Sequence, residues 1–416
     1  MFRKNLYLFA CLGCLLVGQQ LSADPGPLTF LANPLPTGEG CAIPDYLKPY
    51  QGPDEDRFPD EVNTPLGFML SGHFVRRLPQ GGYEGVDGAV VKVAYQVRYS
   101  GQWVTLRRET ITNKCGEFTM AINRVDPADV KVEISLENGK VKVQDDDLIE
   151  DDLYRWTLFD GPVSGATLDL GAFHPSTDND NIAIHIHNTL TRAWRWVFRN
   201  SNYNAEPGRL KVSFPSGDDE NEYDGGKIEV ATRPYTHDHM MGMHQTLLRL
   251  YGIFLLDDQA RLPSGVDCGG GTSCGDIYCG QDAPTALAAG FAEWFRVAAN
   301  RDWPRENGTV IALTKTDVDR LEYPDKYDKC SASAYVSPGR FAALLWDLVD
   351  EENFNTPGNV EADRTTMSVM LVLELFTLYA PESPLDFIYG LRQQTGVVHG
   401  FNLKPTVEAL GFNWPP

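Results

Sequence analysis

Tyr235-Thr236-His237-Asp238-His239-Met240-Met241-Gly242-Met243-His244-Gln245-Thr246-Leu247-Leu248 gathers three of the chain's eight histidines within eight residues. The apolar pattern that follows predicts a helix over 238–256. Working outward, helical spacing predicts further helices at 283–300, 337–350, 362–380 and 384–394. Upstream, Ile186, Leu190, Ala193 and Val197 share one face of a helix over 180–199, with Asp178 or Asp180 available as its N-cap. Lys211-Val212-Ser213-Phe214 and Lys227-Ile228-Glu229-Val230 flank a loop rich in Gly, Asp and Asn and read as a hairpin. Residues 173–416 are therefore expected to be mainly helical with a small sheet.

The period changes to two between 66 and 172. Val91, Val93, Tyr95, Val97 and Tyr99 alternate with Val90, Lys92, Ala94, Gln96 and Arg98. More strand runs at 103–112, 117–122, 130–136 and 140–143 are separated by turn residues such as Glu137-Asn138-Gly139, which predicts a β-sandwich. The fold class is α+β. Residues 24–65 hold nine prolines and few periodic apolar positions, so they read as an extended arm.

Residues 1–23 read as a cleaved signal peptide: Arg3 and Lys4, an apolar run from Leu6 to Val17, then Leu21-Ser22-Ala23. That run is too short to span a bilayer, and no later stretch is long enough. A lipid anchor on Cys14, which follows Leu12-Gly13, is the alternative to a freely secreted or periplasmic protein. Loss of Arg3 and Lys4 takes the formal charge from -21 to -23, which disfavours nucleic acid as a partner. Six cysteines follow the signal: Cys41, Cys115, Cys268, Cys274, Cys279 and Cys330. An even number in an oxidising compartment predicts disulfides, with the pairing left open.

Two family resemblances rest on quoted residues. Gly85-Val86-Asp87-Gly88-Ala89-Val90-Val91, with the later Thr112-Asn113-Lys114-Cys115-Gly116-Glu117-Phe118, resembles the transthyretin-like or carboxypeptidase regulatory-like sandwich of secreted bacterial proteins. The His-bearing helix, the cysteine-bearing insertion and the stretch Ala286-Leu287-Ala288-Ala289-Gly290-Phe291-Ala292-Glu293-Trp294-Phe295 together resemble the gluzincin metallopeptidases. Phe341-Ala342-Ala343-Leu344-Leu345-Trp346-Asp347-Leu348 and Glu408-Ala409-Leu410-Gly411-Phe412 add to that likeness. Gluzincins hold zinc with His-Glu-x-x-His and a glutamate from the next long helix. The resemblance places His244 at the first ligand, Gln245 at the general base, Leu248 at the second histidine and Ala289 at the third ligand. Glu293 remains as a second-shell acid. A single imidazole cannot set up a hydrolytic zinc, and an amide cannot take a proton from water. The resemblance thus implies a pseudo-metallopeptidase that binds a peptide, glycan or protein partner.

Two other readings stay open. His237, His239 and His244 could build an atypical metal site for an active hydrolase, or, with Met240, Met241 and Met243, a copper site in a periplasmic copper-binding protein. His185 and His187, two apart on a helix, read as structural. The acidic stretch Asp218, Asp219, Glu220, Glu222 and Asp224 could take calcium, but Ala231 stands where a twelve-residue calcium loop needs its glutamate. Asp145 to Asp152 reads as an acidic interdomain face. There is no Gly-Lys-Ser/Thr phosphate loop.

Overall fold

The protein was analysed as a computed structural model, which describes residues 28–31, 67–122, 129–145, 153–163, 165–201, 208–217, 219–260, 262–263, 266, 279–301, 320–322, 324–327, 333–349 and 367–415. The expected signal peptide, most of the Pro-rich arm, Cys41, Cys268, Cys274, Cys330, Asp218 and 146–152 lie outside these residues. The chain is α+β, with strands gathered in its first half and helices in its second.

One sheet has the order β1 (Leu28–Leu31), β10 (Thr167–Pro175), β2 (Phe68–Arg77), β3 (Tyr83–Gly85), with β6 (Glu117–Ile122) also on β2. A second has the order β5 (Gln102–Ile111), β4 (Val90–Tyr99), β7 (Asp129–Ser135), β9 (Arg155–Pro162). Alternation buries one face of each, and aromatic rings meet between them: Phe74 of β2 lies 5.4 Å from Trp156 of β9 and 5.2 Å from Phe173 of β10. Each such fully buried ring contributes about 1.5–3 kcal/mol. Leu28–Leu31 corrects the expectation of an irregular arm. Its four residues pair antiparallel with Ala172–Pro175, because alternating apolar residues find an open sheet edge there.

The Gly85–Val91 and Thr112–Phe118 stretches clasp one another. Thr112 Oγ1 donates to Val86 O (2.5 Å) and accepts from Ala89 N (2.9 Å), while Asn113 Oδ1 accepts from the amides of Cys115 and Glu117. At Gly116 (φ +84°) an added Cβ would sit 1.9 Å from Phe74 O, so only glycine fits.

The third sheet runs β12 (Glu222–Asp224), β13 (Lys227–Ala231), β11 (Leu210–Ser216), β8 (Val141–Gln144). Here the expected hairpin is wrong. β11 and β13 are parallel, and the hairpin is formed by β12 and β13 around Gly225 and Gly226, both at positive φ. β8, from the stretch read as sandwich, pairs in parallel with β11.

α1 (Asp178–Ser201) runs through the middle and is buried on every side from Asp180 to Thr191. Its N-cap is Thr177 rather than an aspartate: Thr177 Oγ1 accepts from Asp180 N and donates to Asp180 Oδ2. α2 (His237–Ala260) and α3 (Ala283–Arg301) pack closely, with a Cβ at Gly252 placed 3.0 Å from Ala292 Cα. Asp282 caps α3 through the Thr285 amide (2.9 Å). α4 (Pro338–Val349), α5 (Val369–Tyr379) and α6 (Pro384–Ala409) complete the body. α6 runs fifteen residues past its expected end, with Pro405 inside it.

Candidate functional site

His244 lies on the buried side of α2, one per cent exposed, between α1 and α3. Its Nδ1 faces Thr189 Oγ1 at 3.2 Å and its Nε2 faces Asn300 Oδ1 at 3.4 Å. With Asn300 oriented this way, Nε2–H donates to the amide oxygen and Nδ1 accepts from the hydroxyl. Burial drives its pKa down to about 3 against the hydrogen bond it donates to Asn300. The ring is therefore neutral at any ordinary pH. Hydroxyl, imidazole and amide in a row are the atoms of a nucleophile, base and orienting group. Thr189, His244 and Asn300 are all at most 4% exposed, so no substrate reaches that hydroxyl.

Beside this chain, Arg296 of α3 holds Glu293 with two bonds, Nε to Oε2 at 3.0 Å and Nη2 to Oε1 at 2.8 Å. Its Nη1 donates to Gln245 Oε1. Arg249 approaches Glu293 from α2 at 3.5 Å. A guanidinium thus stands between Gln245 and Glu293.

The helix register separates the remaining positions. Across the antiparallel α2–α3 pair, His244 meets Asn300, Gln245 meets Arg296, Arg249 meets Glu293 and Gly252 meets Ala292. Ala289 lies eleven residues along α3 from Asn300, about 16 Å at 1.5 Å per residue, and cannot stand over His244. Leu248 is a fully buried core side chain. His237 and His239 are exposed at the start of α2, where Thr236 is the cap and lies 2.7 Å from His239 Nδ1. They do not join the buried His244. Met240 and Met243 are core residues, 4% and 3% exposed. These donor sets do not fit zinc or copper. Among the described residues no group of three or more His, Cys, Asp or Glu is disposed to hold a metal ion, and the acidic hairpin tip at Asp219, Glu220, Glu222 and Asp224 is included in that statement. Asp145 is buried rather than part of a surface face. Cys115 and Cys279 are each disulfide-bonded.

A second polar seam escaped the sequence reading. Asp87, fully buried, pairs with Arg195 and lies 3.7 Å from Arg192, both on α1. Glu84, 6% exposed, is held by Arg76 (2.5 Å) and Arg192 (2.7 Å). Burial works against its charge, yet those two guanidiniums outweigh burial and keep the carboxyl below its usual range. Asn188 accepts from Asp87 N and donates to Gly85 O, so α1 is tied to the Gly85–Ala89 loop. His185 joins the seams: its Nε2 lies 3.1 Å from Met240 O and its ring 6.0 Å from that of His244. Its pKa is held well below the usual value, first by burial and then by Arg76. The one signal in the sequence was Arg192 and Arg195 set among Ala193, Trp194 and Trp196 on a helix whose apolar face is expected to be buried. Charges there need buried partners.

No family model matches the sequence, and no curated protein matches it. Among solved structures, a 9R-lipoxygenase from Cyanothece PCC8801 aligns at 11% identity and a TM-score of 0.17. The alignment covers 81% of this chain, which spans 60% of the lipoxygenase chain's length. At that score the likeness carries no argument.

Proposed function

We propose that this chain is an exported, non-catalytic protein of pseudo-metallopeptidase type. In this reading it joins a transthyretin-like sandwich (66–172) to a gluzincin-like helical body (173–416). It binds a peptide, glycan or protein partner in the periplasm or outside the cell. The observation that carries the reading is the commitment of His244 and Gln245. Both ring nitrogens of His244 are engaged by Thr189 and Asn300, and Gln245 is bonded by the arginine that holds Glu293. A water-activating metal needs an open coordination position and several free donors. Disulfide-bonded Cys115 and Cys279 support export. Among the described residues no helix is long and apolar enough to cross a membrane.

Metal analysis and a peptidase assay on the purified mature protein test this. The expected result is substoichiometric metal and no cleavage. Stoichiometric zinc with proteolysis that a chelator abolishes overturns it, and so does copper at one per chain.

A further inference from the structure

The sheet of β5, β4, β7 and β9 ends in β5, whose side away from β4 carries no strand ladder among the described residues, while Arg108 Nη1 reaches Ala121 O of β6 at 2.6 Å. β4 and β5 keep unbroken register from Val90↔Ile111 to Tyr99↔Gln102. Their turn residues Ser100 (φ 50°) and Gly101 (φ 84°) both have positive φ, as a type I′ turn requires. Next to such a turn the first pair exchanges hydrogen bonds, and bonded and non-bonded pairs alternate from there. Trp103, Thr105, Arg107 and Glu109 therefore fall in non-bonded pairs and aim N–H and C=O away from β4. Their side chains are also exposed, Trp103 to 55%. Among the described residues β5 forms a ladder with β4 alone. Proteins guard a straight edge of this length with proline, a bulge or charge. β5 has no proline and no bulge, and its charges, Arg107, Arg108 and Glu109, all lie beyond Leu106.

Charge selects the occupant. Residues 90–111 hold Lys92, Arg98, Arg107 and Arg108 against Glu109, a net +3 in a chain of -21, and with Glu137, which pairs with Lys92 at 2.6 Å, the local balance is +2. Exposed Arg107 has no ion pair among the described residues. A second copy would bring a like-charged edge, and a glycan has no backbone to extend a ladder. We infer that the outer edge of β5 docks an extended acidic segment of a partner protein. That segment adds a strand by main-chain hydrogen bonds, sets a carboxylate against Arg107 and covers Trp103 with an apolar side chain. This rests on reading the chain as a binding protein and names its partner class.

The test uses the full mature protein and a fluorescent peptide of β5's length alternating valine and glutamate, with a lysine-for-glutamate counterpart, read by anisotropy. The glutamate peptide is expected to bind in a salt-sensitive way and the lysine peptide not to bind. Thr105→Pro removes one outward N–H without breaking a β4 hydrogen bond. It should weaken binding about tenfold or more, as main-chain pairing supplies the affinity. Arg107→Glu should do the same through charge and keeps the test open if Thr105→Pro lowers the thermal midpoint. No binding by the unaltered protein, equal binding of both peptides, or binding unmoved by either variant overturns the proposal. So does a dimer that Thr105→Pro dissociates, which gives the edge to a second copy. Failure here leaves the metal and peptidase result untouched, so the two readings fail separately.

Discussion

Arg296 Nη1 donates to Gln245 Oε1 across the α2–α3 pair while the same guanidinium grips Glu293. That cation gives the buried polar groups of α2 and α3 partners within the chain.

Removing that cation strands a buried carboxylate. Arg296→Ala should cost about 3–5 kcal/mol in urea unfolding, toward the lower end because Arg249 still faces Glu293 at 3.5 Å. Gln245→Leu should cost less, about 1–2 kcal/mol, since the guanidinium keeps its carboxylate. Equal losses would mean that Gln245, not Glu293, is the main partner.

Writing a zinc motif into α2 should not create chemistry. Gln245→Glu with Leu248→His writes His-Glu-x-x-His into α2, but Ala289 stays about 16 Å along α3 by helix rise. Leu248 is fully buried, so an imidazole there displaces core packing. The double variant should be less stable, with no peptide cleavage in added zinc. Turnover that a chelator removes would show that the helices can re-register.

Acid should unfold the protein well above the carboxylate range. Burial lowers His187 to about 4 and His244 to about 3, and holds His185 well below its usual value. These groups take up protons in the unfolded chain near 6.5 but not in the folded one. Their contribution is complete above that pH and is lost as pH falls toward the folded values. Between pH 7.5 and 5.5 His187 and His244 each cost on the order of 1 kcal/mol, and His185 adds to the loss in the same direction. Glu84 adds a separate loss only below its unfolded value of 4.5. Urea titrations at the two pH values measure the first step, and replacing His244 with Gln should remove about a third of it.

Gly116→Ala should be among the most damaging single-methyl changes in the chain. Its positive φ and the 1.9 Å approach to Phe74 O leave no rotamer to adjust. Thermal unfolding of this variant beside Gly139→Ala, where an added Cβ meets nothing within 4 Å, gives the comparison.

Local chemistry made much of the helical half readable. Asp282 before an alanine-rich run marks α3 to within a residue, and Ser383-Pro384 marks the start of α6. The end of α6 was hidden because Gly396, Gly400 and Pro405 all argue for a stop that the helix does not make. β12, three residues long, is too short to carry a period, and without it β11 and β13 look like neighbours in a hairpin. At the site, the identities of His244 and Gln245 were visible, but their partners were not. Thr189 and Asn300 lie 55 and 56 residues from His244 in sequence, and only packing brings them together. The same holds for Asp87 and Glu84, whose partners sit about a hundred residues on in α1.

The parallel pairing of β8 with β11 bears on how this protein can be inherited. Val141–Gln144 belongs by position to the sandwich half, yet it completes the sheet on which the helical half is laid. A genetic break near residue 172 would not release two portable units. It would leave the second half with a raw strand edge and the first with a strand that has lost its seat.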